Sequence, residues 1–245
     1  MTEGRFEKRR RAARWRRARP YVLGVLAAAA VAGAVWALWF SDLLTAERVQ
    51  VEGITTLSVR SVRQQAQVPM GVQLARIDTG AITIRIARME RIDTVDVSRR
   101  WPRTVRIEVA ERKPVAWIVS AGQIRQVDRD GIDFRTLASE PTRLVEIRVR
   151  TEDPLRRQQA VVAAARVVTY LRANAADIMG AVEYVTAASK DSITLELDGD
   201  RTVRWGSVEE ADKKRRVLRA LLRIDAERYD VSAPEQPTTW KPEKK

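Results

Sequence analysis

The side chains that most often carry out enzyme chemistry are missing from this chain of 245 residues. It has no histidine and no cysteine, which excludes an imidazole base, a thiol nucleophile, a Cys/His zinc site and a disulfide. A hydrolase would need a serine–lysine pair or paired carboxylates, yet no G-x-S-x-G, S-x-x-K, P-loop or G-x-G-x-x-G pattern occurs. The acidic residues alternate with arginines on predicted strand faces, as solvated charge does. We therefore expect no catalytic, cofactor-binding or metal site.

A long apolar segment near the N-terminus is the strongest signal that remains. Residues 21–40 carry no charged and no strongly polar side chain, and the apolar run 22–40 is uninterrupted. A helix over that run is roughly 28 Å long, close to the hydrocarbon thickness of a bilayer. The pattern predicts a single transmembrane helix at residues 21–40.

The charges that flank this segment predict its orientation. Residues 1–20 contain nine basic and two acidic side chains, which account for +7 of the formal net charge of +13. Cationic flanks remain on the cytoplasmic side. We therefore expect a basic cytoplasmic tail at residues 1–20 and about 200 residues outside the membrane, enough for two small domains.

Two other interpretations of the apolar segment stay open. Ala32-Gly33-Ala34 is similar to a signal-peptide cleavage site, with residues 22–31 as its apolar region. A buried helix of a soluble domain is the second alternative. The continuation of the apolar run to Phe40 argues against a signal peptide. A helix that is apolar on every side has few places to pack in a small domain, which argues against a buried helix.

The first exterior region alternates between strand and helix patterns. A short strand at residues 49–52 precedes two helices, which Ser58 and Asp78 can cap, the second spanning 79–89. Strands are predicted at residues 92–99 and 104–111, joined by a turn in which we expect Trp101 to pack. The order β-α-α-β-β predicts a compact α+β module at residues 43–112.

The second exterior region is predicted to be an antiparallel β domain flanked by helices, at residues 113–233. Its clearest elements are a helix at 155–174 and a hairpin of strands 192–197 and 202–205. Ser207 to Glu210 has the pattern of a capping box that begins a last helix. On that helix we expect Lys213 to Arg216 to form a solvent-exposed face. Prolines 234, 237 and 242 favour an extended tail at residues 234–245.

Three segments together resemble a bacterial family. Val49 to Ser58 resembles the opening strand and helix cap of a POTRA domain. Arg99 to Ala116 is similar to the signature R-x-x-P-x-T-[VL]-x-[IV]-x-[VI]-x-E-R-x-P-[VA]-A of the cell-division proteins FtsQ and DivIB, and Val127 to Phe134 to that family's V-D-x-x-G-x-x-F turn. The resemblance runs from the basic tail to about Ser232, in matching order.

The resemblance implies a non-enzymatic scaffold of the divisome, required for cell division and septum assembly and held at the septal membrane. Its exterior part would bind division proteins of FtsB (DivIC) type and FtsL type. Addition of a partner strand to a sheet edge is the expected mode. That edge strand is predicted at Tyr229, Asp230, Val231 and Ser232, followed by prolines that stop further pairing. Trp240 would either anchor a partner or dock on its own domain.

Other functions compete with this one. A different membrane-tethered POTRA adaptor, for secretion or envelope assembly, is the main alternative. The basic tail, which contains Trp15, could instead bind nucleic acid, although it contains no recognisable binding module. An enzyme is the weakest alternative, because the catalytic constellations are missing.

Overall fold

The computed structural model describes residues 19–33, 36 and 44–241. Residues 19–33 form helix α1, with exposed side chains. The rest of the predicted span, apart from Trp36, lies outside the described residues, as do most of the basic tail and residues 242–245. Within the part of the chain that is described, no helix has the length and apolar character to cross a membrane. The chain divides into two compact units between Glu111 and Arg112.

The first unit has the predicted order of elements. They are β1 (Arg48–Glu52), α2 (Val59–Ala66), a 3-10 helix (Leu74–Arg76), α3 (Thr79–Ala87), β2 (Ile92–Arg100) and β3 (Thr104–Glu111). The sheet order is β1-β3-β2, with β1 parallel and β2 antiparallel to β3. Both predicted caps form: Ser58 Oγ accepts from Ser61 N–H and Asp78 Oδ1 accepts from Ala81 N–H. The β-α-α-β-β prediction is confirmed.

The core of this unit lies between the two helices and the sheet. Its fully buried side chains include Val62 and Ala66 of α2, Ile82 and Ile86 of α3, and Val105 and Ile107 of β3. Gly53 ends β1 at φ +83°, where a Cβ atom would lie 1.9 Å from the carbonyl oxygen of Val109. Only glycine fits at that crossing of two backbones.

The second unit is built on one large sheet. Its elements are β4 (Pro114–Ser120), β5 (Gln123–Asp128), β6 (Asp133–Leu137), β7 (Val145–Val149), α4 (Pro154–Asn174), α5 (Ala176–Gly180), β8 (Val182–Ser189), β9 (Ser192–Leu197), β10 (Arg201–Gly206), α6 (Ala211–Leu221), β11 (Arg228–Asp230) and β12 (Thr238–Trp240). The strand order is β12-β11-β10-β9-β8-β7-β4-β5-β6.

This sheet is mixed, which corrects the prediction of an antiparallel domain. β7 pairs in parallel with both β4 and β8, and β10 pairs in parallel with β11. Two of these parallel pairs follow from helical crossovers: α4 lies between β7 and β8 in the chain, and α6 lies between β10 and β11. A helix that returns the chain to the starting end of a strand makes the next strand parallel.

Helix α4 forms the cover of the large sheet, as its apolar pattern predicts. Its stripe Val161, Ala164, Ala165, Val168 and Leu171 is buried. The predicted hairpin is also confirmed, because β9 and β10 pair in antiparallel register, Leu197 opposite Arg201.

The start of α6 differs from the predicted capping box. The helix begins at Ala211 after Glu210, which adopts a left-handed conformation with φ +52° and makes no side-chain cap. Ser207 instead accepts, through its carbonyl oxygen, a 2.9 Å hydrogen bond from Lys214 Nζ. Lys214 is only 1% exposed, so the basic run is not wholly a solvated face. Burial lowers the pKa of the Lys214 ammonium.

Candidate partner-binding edge

The predicted edge strand is not the edge of the sheet. Residues 228–230 form β11, which pairs with β10 on one side and with β12 on the other. β12 is the outermost strand at this end. The prediction that the prolines stop further pairing is wrong. Beyond Ser232 the chain turns, with the Gln236 N–H bonded to the carbonyl of Ala233 at 2.9 Å, and Thr238–Trp240 then pairs as a strand.

Two of the predicted contact residues belong to the core. Tyr229 is 2% exposed, and its hydroxyl donates to the carbonyl of Ile224 at 2.9 Å. Val231 is fully buried, and its N–H donates to the carbonyl of Arg204 at 3.0 Å. A proline at position 231 would therefore break a hydrogen bond inside the sheet. Val231→Pro would test folding and not partner binding.

Asp230 and Ser232 form a local turn that ends β11. The Asp230 carboxylate accepts from the Ser232 N–H at 2.9 Å and from the Ser232 hydroxyl at 2.6 Å. Arg204 on β10 lies 3.5 Å from the same carboxylate. Asp230 and Ser232 are both half-buried. Their geometry redirects the chain toward β12, and a direct contact with a partner stays a prediction for both.

The loop between β11 and β12 is held on the body of the domain. Pro234 is buried, and Glu235 forms an ion pair with Lys213 on α6. At the far end of β12, Lys241 forms an ion pair with Asp225. These contacts join both ends of the three-residue β12 to the body of the domain.

Trp240 is the large apolar side chain of this edge. It is 49% exposed, and the guanidinium of Arg228 lies 4.8 Å from the centre of its ring. That distance is within the range of a cation–π contact. Trp240 therefore docks partly on its own domain and leaves half of its surface exposed, and its role as an anchor for a partner stays a prediction.

Strand β12 as a whole offers both kinds of contact that strand addition needs. Thr238, Thr239 and Trp240 are all exposed, and within residues 44–241 only one side of the strand is paired. Main-chain groups on the open side can bind an incoming strand, while Trp240 supplies apolar area. Sequence reasoning missed Thr238 and Thr239, although two threonines followed by tryptophan are typical of a strand.

Comparison with known proteins identifies the class of the first unit. The profile described as "POTRA domain, FtsQ-type" matches residues 44–112, which span the whole β-α-α-β-β unit. This is a POTRA-domain protein with a second, sheet-based unit.

Relatives extend the match over most of the chain. "Cell division protein FtsQ" of Streptomyces bingchenggensis is 37% identical over 241 residues, covering 94% of this chain and 88% of that protein. The protein of the same name from Streptomyces venezuelae is 39% identical over 222 residues, 89% of this chain and 81% of the relative. That of Mycobacteroides abscessus is 34% identical over 217 residues, 89% and 68% respectively. The chain belongs to the FtsQ family.

Proposed function

We propose that this protein is a non-enzymatic scaffold of the divisome that cell division and septum assembly require. Membership of the FtsQ family supports this role, because its relatives are named cell division proteins. The absence of histidine and cysteine from the sequence supports a binding function over a catalytic one.

The proposed topology is bitopic. Residues 1–20 form the cytoplasmic tail, 21–40 the membrane anchor and 43–112 the POTRA domain. The FtsQ-type β domain begins at residue 113 and, because β12 belongs to its sheet, continues past the predicted boundary at 233 to Trp240. The apolar run 22–40 and the basic residues before it support this arrangement. The anchor would hold both exterior domains at the septal membrane.

The proposed partners are membrane-proximal division proteins of FtsB (DivIC) type and FtsL type. A strand from one of them would pair with the open side of β12 and place an apolar side chain against Trp240. The single observation that carries this proposal is an exposed outer strand with a half-exposed tryptophan at the end of a nine-stranded sheet.

Proline substitutions on β12 test the binding mode. Alternate residues of a strand direct their N–H groups to opposite sides, so one of Thr238 and Thr239 faces β11 and the other faces away. The outward proline should abolish co-purification with the exterior segment of an FtsB-type partner while the circular dichroism spectrum stays unchanged. The valines Thr238→Val and Thr239→Val are matched controls that keep the N–H.

Two results would contradict the proposal. Full partner binding by both folded proline variants would place the interface elsewhere. Capture of secretion proteins in place of division proteins, by the unaltered exterior domains, would favour a tethered adaptor for envelope assembly.

A further inference from the structure

The POTRA domain has a basic, open groove at the end where β1 begins. Its volume is about 810 Å³, and its lining includes Arg48, Arg63, Arg100, Trp101 and Met70. No function proposed above uses this groove. The side chains around it suggest an occupant that is both anionic and apolar.

The rim of the groove carries two exposed apolar side chains. Trp101 is 47% exposed and Met70 is 51% exposed. The expectation that Trp101 packs in its turn is therefore met only in part. A half-exposed tryptophan beside arginines is the combination that favours the headgroup layer of a membrane, where the ring contacts lipid and its N–H contacts water.

Among the residues that the structure describes, no acidic group forms an ion pair with Arg48, Arg63 or Arg100. Arg48 is exposed and has no ion-pair partner within the described part of the chain. Arg100 reaches the amide oxygen of Gln50, at 3.4 Å, and Arg63 donates to the carbonyl of Val49 at 2.5 Å. The lining carboxylate, Glu47, is paired with Arg103 at 2.7 Å. The groove thus presents three guanidinium groups with a net positive charge.

The chain itself brings this end of the domain toward the apolar run. The loop that carries Met70 is bonded to the segment before β1: Ala46 N–H donates to the carbonyl of Val72 at 2.8 Å, and Gly71 N–H donates to the carbonyl of Ala46 at 2.9 Å. Phe40 and Thr45 are five residues apart, a span of at most about 18 Å. The groove therefore lies within one short connection of the predicted anchor.

We propose that this end of the POTRA domain docks on the membrane surface, with Trp101 and Met70 in the headgroup layer and Arg48, Arg63 and Arg100 against anionic lipid headgroups. This inference rests on the proposed membrane anchor. The anchor makes a weak surface affinity sufficient, because it holds the groove at a high effective concentration of lipid. Docking would orient the POTRA domain on the bilayer.

A fluorescent label on the full chain tests the contact. The chain has no cysteine, so Met70→Cys introduces a single site for a polarity-sensitive dye. In liposomes that contain phosphatidylglycerol, the emission should shift to the blue and be quenched by spin-labelled lipid. The matched control is Ala87→Cys, an exposed position where α3 ends. It lies near the start of β2, whose nine residues put it roughly 25 Å from Trp101.

Substitutions then separate the charge from the ring. Arg48→Gln and Arg100→Gln should each lower the equilibrium constant for docking on anionic liposomes about fivefold, since one basic residue near such a surface contributes about that factor. Trp101→Ala should reduce the blue shift in anionic and in neutral liposomes alike. The far-ultraviolet circular dichroism spectrum of each variant checks that the domain remains folded.

The outcomes distinguish this inference from the proposed function. Protein that floats with the liposomes but leaves the Met70 label as water-exposed as the Ala87 label overturns the docking and leaves the anchor intact. Equal quenching in liposomes of phosphatidylcholine alone overturns the role of the anionic headgroup. Failure to float would refute the anchor itself, and with it the docking.

Discussion

Neutralising Glu111 should destabilise the POTRA domain more than neutralising any exposed charged side chain of its sheet does. Glu111 ends β3, and its Oε1 atom accepts hydrogen bonds from the N–H groups of Thr55, Thr56 and Leu57, at 2.6, 2.8 and 2.9 Å. Its side chain is only 8% exposed. The carboxylate therefore fixes the loop that connects β1 to α2.

The size of the effect follows from the pKa of this carboxyl group. Partial burial raises the pKa, but the hydrogen bonds from Leu57, Thr56 and Thr55 outweigh that and lower it from 4.5 to about 2. A difference of that size corresponds to at most about 3 kcal/mol of stability. Since glutamine keeps a carbonyl acceptor and solvent screens part of the charge, Glu111→Gln should cost about 2 kcal/mol at pH 7.

The pH dependence has a definite sign. Because the folded state lowers this pKa, the ionised Glu111 carboxylate contributes its full stabilisation of the fold above about pH 4.5. That stabilisation is lost as the pH falls through about 2. Urea unfolding of the full chain in detergent measures the free energy of unfolding at each pH. The loss of that free energy caused by Glu111→Gln should be less than about half as large at pH 3 as at pH 7.

A second carboxylate on the same strand provides the control. Glu108 forms an exposed ion pair with Arg106 at 2.5 Å, so Glu108→Gln should cost less than about 1 kcal/mol. Equal losses for the two variants at pH 7, or a loss at Glu111 that does not change with pH, would refute the role assigned to the Glu111 carboxylate.

Two further predictions concern the second unit. Gly131 has φ +74°, and a Cβ atom there would lie 2.6 Å from the Cα of Val162, whereas Gly122 has φ +75° and open space around it. Gly131→Ala should thus cost more than about 2 kcal/mol in urea unfolding and Gly122→Ala about 1 kcal/mol; similar losses would argue against the clash. Because burial lowers the pKa of Lys214, the unfolded state binds more protons at alkaline pH, and stability should rise as the pH increases from the folded pKa toward 10.5. Lys214→Met should abolish that rise and Lys213→Met should keep it; a rise that persists in Lys214→Met would contradict the assignment.

The elements that the sequence predicted are those whose signals are local. The caps at Ser58 and Asp78, the buried stripe of α4 and the hairpin predicted at residues 192–205 each depend on residues a few positions apart, and all are present. The signature from Arg99 to Ala116 likewise covers consecutive strands, so it located the family without any tertiary information.

The features that were missed depend on contacts between distant residues. The periodicity of β7 or β11 is the same in a parallel and an antiparallel pair, so their mixed pairing was not visible. Lys214 lies in a basic run, but its side chain is buried and its ammonium donates to the carbonyl of Ser207, a contact that the basic pattern does not reveal. The sheet edge was misplaced by one strand, because prolines 234, 237 and 242 favoured an extended tail over the strand pattern of Thr238–Trp240.

Hydrogen–deuterium exchange of β12 tests most directly whether a division partner binds this edge. The full chain is measured with and without the exterior segment of an FtsB-type partner. The account predicts that the amide on the open side of Thr238–Trp240 exchanges more slowly in the complex, while β6, at the opposite end of the same sheet, is unchanged. Slower exchange elsewhere in the exterior domains, with β12 unaffected by a bound partner, would contradict it.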